Sequence, residues 1–101
     1  MKNKKTENKQ HARLTAVAWT KNAWEDYLSW QKEDRKMVDE INNLIEECLR
    51  NPFIGTGKPE PLKGDLTGFW SRRITDEHRL VYKVTENEIQ VFSCKSHYEQ
   101  F

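Results

Sequence analysis

The chain has 101 residues, 36% hydrophobic and 33% charged, which suffices for one small domain with one core and excludes a second lobe. Its net charge of +1 is unevenly placed: Lys2, Lys4, Lys5, Lys9 and Arg13 against Glu7 make the first thirteen residues +4 and leave −3 for the remainder. A surface that binds any polyanion is thereby excluded, and contact with nucleic acid would have to run through a local cationic patch.

Residues 1–13 are polar, carry no useful apolar period, and read as a disordered basic extension in which His11 has no role. Residues 14–101 read as a single domain. Leu14 to Trp19 is broken by Thr15 and is too short for a signal peptide or a membrane span, which points to a soluble cytoplasmic protein. It reads instead as a first strand with Val17 and Trp19 on one face. Thr20 is placed to cap a helix whose stripe is Trp24, Tyr27, Leu28 and Gln31, with Trp30 beside it. The helical spacing of these aromatics favours a core or partner-facing role over base stacking. Asp34 is placed to cap a second helix, where Met37, Val38, Ile41, Leu44, Ile45, Cys48 and Leu49 follow amphipathic spacing. So short a corner predicts an antiparallel helical hairpin, and Asn51-Pro52 predicts its end.

Phe53 to Leu66 contains three glycines and two prolines and reads as a functional loop. Gly68 to Thr75, Arg79 to Thr85 and Glu88 to Lys95 then read as strands whose short connections force an antiparallel meander. Leu80, Tyr82 and Val84 share the face that packs on the helices; Arg79, Val81 and Lys83 point away. The predicted fold is α+β, a helical hairpin on one face of a small, mainly antiparallel sheet, with the other face partly open. Cys48 and Cys94 lie in apolar patterns without metal-binding spacing and read as reduced core thiols.

Glu60 stands between Pro59 and Pro61, which should hold Lys58 and Glu60 extended. So stiffened, the carboxylate could serve as a general base; a solvated loop glutamate is the plainer reading. Arg72 and Arg73 are consecutive on a strand and must face opposite ways, so one of them at most serves a given site. Arg79 opens the next strand, and guanidinium forks fit phosphate. The plainer reading for each arginine is a surface ion pair with Asp76 or Glu77. His97 offers a proton donor near neutral pH and Tyr98 a stacking surface, while His78 reads as structural or solvated. There is no zinc-protease, carboxylate-cluster, phosphate-loop or nucleophile-elbow motif, so any chemistry would rest on side chains, without metal or cofactor.

The ordered string Trp24-Glu25-Asp26-Tyr27-Leu28, Trp30-Gln31, Asn51-Pro52-Phe53, Gly57-Lys58-Pro59-Glu60-Pro61-Leu62-Lys63, Gly68-Phe69-Trp70-Ser71-Arg72-Arg73-Ile74, His78-Arg79-Leu80-Val81-Tyr82 and His97-Tyr98 resembles the YoeB-type toxins of the RelE superfamily. The match covers roughly residues 16 to 98. The resemblance implies a microbial-ribonuclease-like α+β fold and the toxin of a type II toxin–antitoxin pair. It also implies an mRNA endoribonuclease that cuts message in the ribosomal A site by metal-free attack of the RNA 2′-hydroxyl. By position, Glu60, Arg79, His97 and Tyr98 fall on the catalytic places, and Lys63 and Arg73 on places that hold RNA phosphate. The implied partners are a YefM-like antitoxin, the ribosome and mRNA, with operator DNA reached only through the antitoxin and a homodimer left open. The alternative is a catalytically weak antitoxin-binding protein acting mainly as operator co-repressor. Two features depart from the family pattern: the basic N-terminal extension, and Glu99-Gln100-Phe101 after the His-Tyr pair.

Overall fold

In the computed structural model, which describes residues 14–95, short polar side chains set where the chain changes direction. Thr20 Oγ1 accepts a hydrogen bond from the Ala23 amide at 3.1 Å and opens helix α1 (Lys21–Glu33). Asp34 Oδ1 accepts from the Lys36 amide at 3.0 Å and opens helix α2 (Arg35–Arg50). Each cap satisfies an amide that has no partner within its own helix. Only Asp34 separates the helices, and the Tyr27 hydroxyl donates to Asn42 Oδ1 at 2.6 Å, joining a residue before the corner to one after it. The two therefore run back along each other as a hairpin. The expectations for residues 1–13, for His97 and Tyr98, and for Glu99-Gln100-Phe101 fall outside the described residues.

Strands β1 (Ala16–Trp19), β2 (Glu60–Pro61), β3 (Trp70–Arg73), β4 (Arg79–Val84) and β5 (Glu88–Ser93) form one sheet in the order β1-β5-β4-β3-β2. The meander β3-β4-β5 is antiparallel, as the short connections require, and β1 adds in parallel, Val17 opposite Ile89. The sheet gains a strand where a loop was expected: Glu60 and Pro61 pair with Ser71 and Trp70. Proline is tolerated there because β2 is an edge strand. The connection between β2 and β3 contains a short 3₁₀ turn, Gly64–Leu66.

The helices cover the face carrying Leu80, Tyr82, Ile89 and Val91, all fully buried together with Ile41, Cys48 and Cys94. From α2, Met37, Val38, Ile41, Leu44, Ile45 and Cys48 are buried, matching the expected face. In α1 the buried line is Ala23 and Trp30, with Tyr27 half-buried, one step around the helix from the expected stripe; Trp24 and Leu28 stay 45% and 41% exposed. The small side chain of Ala23 lets the helix close on the sheet, while Trp24 and Tyr27 gather around Trp19 at its edge. Both cysteines are free, and burial pushes their thiols up to about 11 for Cys48 and about 12 for Cys94. They are core hydrophobes, protonated at neutral pH.

Arg72 lies in this core with no solvent exposure. Its Nε donates to Tyr82 Oη at 3.3 Å, Nη1 to the Thr56 carbonyl at 3.1 Å, and Nη2 to the Ile54 carbonyl at 2.9 Å and to the Asn51 carbonyl. The Tyr82 hydroxyl then donates to the Pro52 carbonyl at 2.6 Å. One planar fork thus fixes the loop that leaves α2, satisfying carbonyls that a loop has no regular means of pairing. Glu47 completes the cluster: its Oε2 accepts from the Thr56 amide at 2.9 Å and lies 3.8 Å from Arg72 Nη1. Gly55, at φ +121°, fits here because a Cβ would fall 2.0 Å from that carboxylate oxygen.

The expected surface ion pair for Arg72 is therefore replaced by a buried anchor. Lys58 also departs from expectation: its φ is +50°, not extended, as the chain swings out of the loop into β2. A non-glycine residue in this region costs on the order of 1–3 kcal/mol and persists only where its surroundings hold it. Here the Arg73 amide grips the Gly57 carbonyl at 2.7 Å just before the turn.

Two stability measurements check this arrangement. Arg72→Met leaves three loop carbonyls and the Tyr82 hydroxyl without their donor, and urea unfolding should show a loss of about 3 kcal/mol or more. Arg72→Lys should recover less than half of it, because an ammonium cannot reproduce the fork; a loss below about 1 kcal/mol for Arg72→Met contradicts the anchoring role. The second measurement follows urea midpoints from pH 6 to pH 3. The Thr56 amide, helped by the Arg72 charge, holds the Glu47 carboxyl below its ordinary 4.5. A depressed carboxyl contributes stability that is present above the ordinary value and lost as pH falls through the lowered one. Glu47→Gln should flatten that acid-side fall, and a variant curve parallel to the wild type throughout would remove Glu47 from the account.

Candidate active face of the sheet

The face turned away from the helices is built by register. Glu60 pairs with Ser71, Ser71 with Val81, and Val81 with Ser93, so these four form a row across β2, β3, β4 and β5. Arg73 pairs with Arg79 one step along on the same side, because alternate residues of a strand share a face. Glu60 and Arg79 are two strand spacings apart, about 10 Å, with about 7 Å of displacement along the strands. Side chains of their length can approach a single ligand lying between them.

Each residue is held differently. Glu60 is exposed and makes no side-chain hydrogen bond or ion pair among the described residues. Leu62, two residues on, is buried and its amide donates to the Phe69 carbonyl at 2.9 Å, so the strand carrying Glu60 is fastened on its far side. Lys63 caps the 3₁₀ turn just beyond and is exposed, without an ion pair among the described residues. Arg73 is exposed and lies 3.9 Å from Asp76, an ion pair of the surface kind that a phosphate can displace at little cost.

Arg79 is more ordered. Its Nη1 donates to the carbonyls of Thr75, Asp76 and His78 at 2.8, 2.9 and 3.3 Å. Thr75 Oγ1 accepts from the amides of Glu77 and His78 and so folds the turn that supplies those carbonyls. Nη2 and Nε of Arg79 make no hydrogen bond among the described residues. His78 does not join this face; its ring meets Trp30 edge-on at 4.8 Å, which fits the structural one of the two roles read for it, structural or solvated.

The end of β5 is clamped to α1. The Cys94 amide donates to Asp26 Oδ2 at 3.0 Å, its carbonyl accepts from Trp30 Nε1 at 2.9 Å, and Lys95 Nζ reaches Glu33 at 3.0 Å and Ser29 Oγ at 2.8 Å. Burial pushes the Asp26 carboxyl up, with the Cys94 amide opposing. The chain is thus fixed to Lys95, two residues short of His97. The described structure brings Glu60, Arg73 and Arg79 onto one face with Lys63 on the adjoining loop; His97 and Tyr98 lie beyond it.

Three features of this face escape sequence reading. Ser93 Oγ is buried with no hydrogen-bond partner among the described residues. Phe69 and Phe92 meet edge to face at 4.8 Å, and Lys83 Nζ lies 4.9 Å from the Phe69 ring centre. Strand alternation places Phe69 and Lys83 on this side, but the pairing shifts between Val81 and Tyr82, which leaves Phe92 extra on β5. No alternation rule anticipates where such a bulge falls. Among the described residues there is no group of three or more His, Cys, Asp or Glu suited to a metal ion, and no helix is long and apolar enough to cross a membrane. A groove of about 350 Å³ lined by Val17, Trp19, Asn42, Ile45 and Glu46 lies at the β1 edge, opposite the edge that carries Glu60.

Known proteins resemble this chain in sequence and fold. A family model described as the YoeB-like toxin of bacterial type II toxin–antitoxin systems matches residues 19–98. Toxin YoeB of Escherichia coli K12 is 55% identical over 82 residues, spanning 81% of this chain and 98% of that protein. The solved YoeB dimer of Staphylococcus aureus is 51% identical with a TM-score of 0.78, over 86% of this chain and all of that one. A heterotetrameric YoeB-YefM toxin–antitoxin complex from the same organism gives 51% identity and a TM-score of 0.77 with the same coverage. With a match across most of the sequence and the same two-helix, five-strand architecture, this chain belongs to the YoeB-like toxins of bacterial type II toxin–antitoxin systems.

Proposed function

We propose that this toxin is a ribosome-dependent mRNA endoribonuclease that cuts message in the A site without a metal or cofactor, and that it works in the cytoplasm. The observation that carries the reading is the common face of Glu60, Arg73 and Arg79, an acid and two guanidinium groups spaced to surround a phosphodiester. Glu60 would take the proton from the RNA 2′-hydroxyl, which attacks the adjacent phosphorus and displaces the 5′-oxygen. Arg79 stabilises the charge that builds on the phosphoryl oxygens through the edge of its fork not held by the turn. His97 protonates the departing oxygen and Tyr98 orients or stacks a base. Arg73 and Lys63 hold neighbouring phosphates. The bond that forms is O2′–P and the bond that breaks is P–O5′, so the products are a 2′,3′-cyclic phosphate and a free 5′-hydroxyl.

Control would come from a YefM-like antitoxin, a partner type supported by the S. aureus complex, with operator DNA reached only through that antitoxin. Self-association is supported in the same way by the S. aureus dimer.

The test is cleavage of message on intact ribosomes by the native chain, Glu60→Gln, Arg79→Ala and His97→Ala, each treated with EDTA and then freed of the chelator before it meets the ribosome. The native chain should release fragments ending in cyclic phosphate, and Glu60→Gln should slow a single turnover by about 10²–10⁴-fold. The native rate should follow a bell-shaped dependence on pH, because the base must be ionised and the acid protonated in the same turnover. Wild-type rates in Glu60→Gln and His97→Ala, or cleavage at a deoxynucleotide, would overturn the mechanism. Operator repression with the antitoxin but no cleavage by the native chain would favour the co-repressor role.

A further inference from the structure

The active face continues past the residues assigned above. Four residues along β4 from Arg79, Lys83 lies on the same side, about 13 Å away along the strand, too far to hold the same phosphate. Its ammonium is placed by an aromatic ring and not by an acid: Nζ sits 4.9 Å from the Phe69 ring centre, and it makes no ion pair among the described residues. The stem is placed as well. At Gly68, where φ is +101°, a Cβ would lie 3.7 Å from Lys83 Cε, in contact with the chain that bears the charge. Phe92, put on this side by the irregular pairing of β4 with β5, meets Phe69 edge to face with rings 89° apart. Gln90, opposite Lys83, donates to Glu88 at 2.9 Å and bounds the patch.

A half-buried aromatic pair beside an ammonium that has no ion pair among the described residues has two features suited to an unpaired nucleotide, a surface for its base and a cation for its phosphate. A cation–π contact at such a site is worth only about 0.5–1 kcal/mol, so the ammonium can leave the ring for a phosphate at small cost. We infer that Phe69, Phe92 and Lys83 form a subsite for a nucleotide flanking the one cleaved, with the base against the aromatic pair and its phosphate on Lys83. This rests on the nuclease reading, and it adds that binding along the strand is shared between Arg79 at one end of β4 and Lys83 at the other. Lys83 is a positioning residue in this scheme; it does not touch the reacting atoms.

The experiment measures single-turnover cleavage of ribosome-bound message by the native chain, Lys83→Met and Phe92→Leu as enzyme concentration and salt are varied. Lys83→Met keeps the stem over Gly68 and removes the charge. It should raise the half-saturating concentration about 5–10-fold, leave the maximal rate within about twofold, and lower the slope of log affinity against log salt by about one. Phe92→Leu should weaken binding with an unchanged salt slope and alter the preference for the base next to the cut. Thermal unfolding of both variants within a few degrees of the native chain establishes that the fold is intact; if Phe92→Leu unfolds, Phe92→Tyr takes its place. Native-like binding, salt slope and base preference in folded variants would overturn the subsite while leaving the nuclease reading in place. A native chain that cleaves nothing would remove both.

Discussion

One buried guanidinium governs the connection between the helical layer and the sheet edge. Arg72 has no contact with water, and its charge is tolerated because the fork is almost fully used: three loop carbonyls, a tyrosine hydroxyl and a nearby carboxylate surround it. A loop of such shape could not be satisfied by backbone pairing alone. The arginine supplies the donors that a helix or sheet would otherwise provide, and in doing so fixes the path from the end of α2 to the start of β2. The left-handed turn at Lys58 and the position of Glu60 on an edge strand both follow from that path.

The neighbouring residue has the opposite fate. Alternation along β3 sends Arg72 into the core and Arg73 to solvent, so two identical side chains divide between support and proposed substrate contact. The same division recurs across the sheet. Tyr82, whose hydroxyl joins the Arg72 network, faces the helices, while Val81 and Lys83 on either side of it lie on the face of the proposed site. A sheet only one residue thick thus places a stabilising polar network on one side and a cationic surface on the other, and each needs the register of the other to stay fixed.

Much of this was legible before the fold. The helix boundaries followed from Thr20, Asp34 and Asn51-Pro52, and the meander from connections too short for anything but antiparallel neighbours. The common face of Glu60 and the arginines was partly legible: alternation paired Arg73 with Ser71 and set Arg79 beside Lys83, but it could not bring β2 into the sheet. That strand is two residues long and contains a proline, so no periodic signal marks it. The burial of Arg72 did leave a trace, since it shares strand parity with Trp70 and Ile74, both apolar. Reading it required trusting that parity against the usual exposure of arginine. The turn of α1 toward Ala23 was not legible, because the choice among its aromatics was made by the space available over the sheet.

The split between the two consecutive arginines is measured most directly by hydrogen exchange at the guanidinium groups, followed by nitrogen-15 NMR of the folded chain. The Nη protons of Arg72 should exchange far more slowly than those of Arg73, because the first set is buried and bonded and the second is exposed to solvent. Exchange of Arg72 as fast as that of Arg73 would mean that the loop is not held by this residue, and the account of how Glu60 is positioned would fail with it.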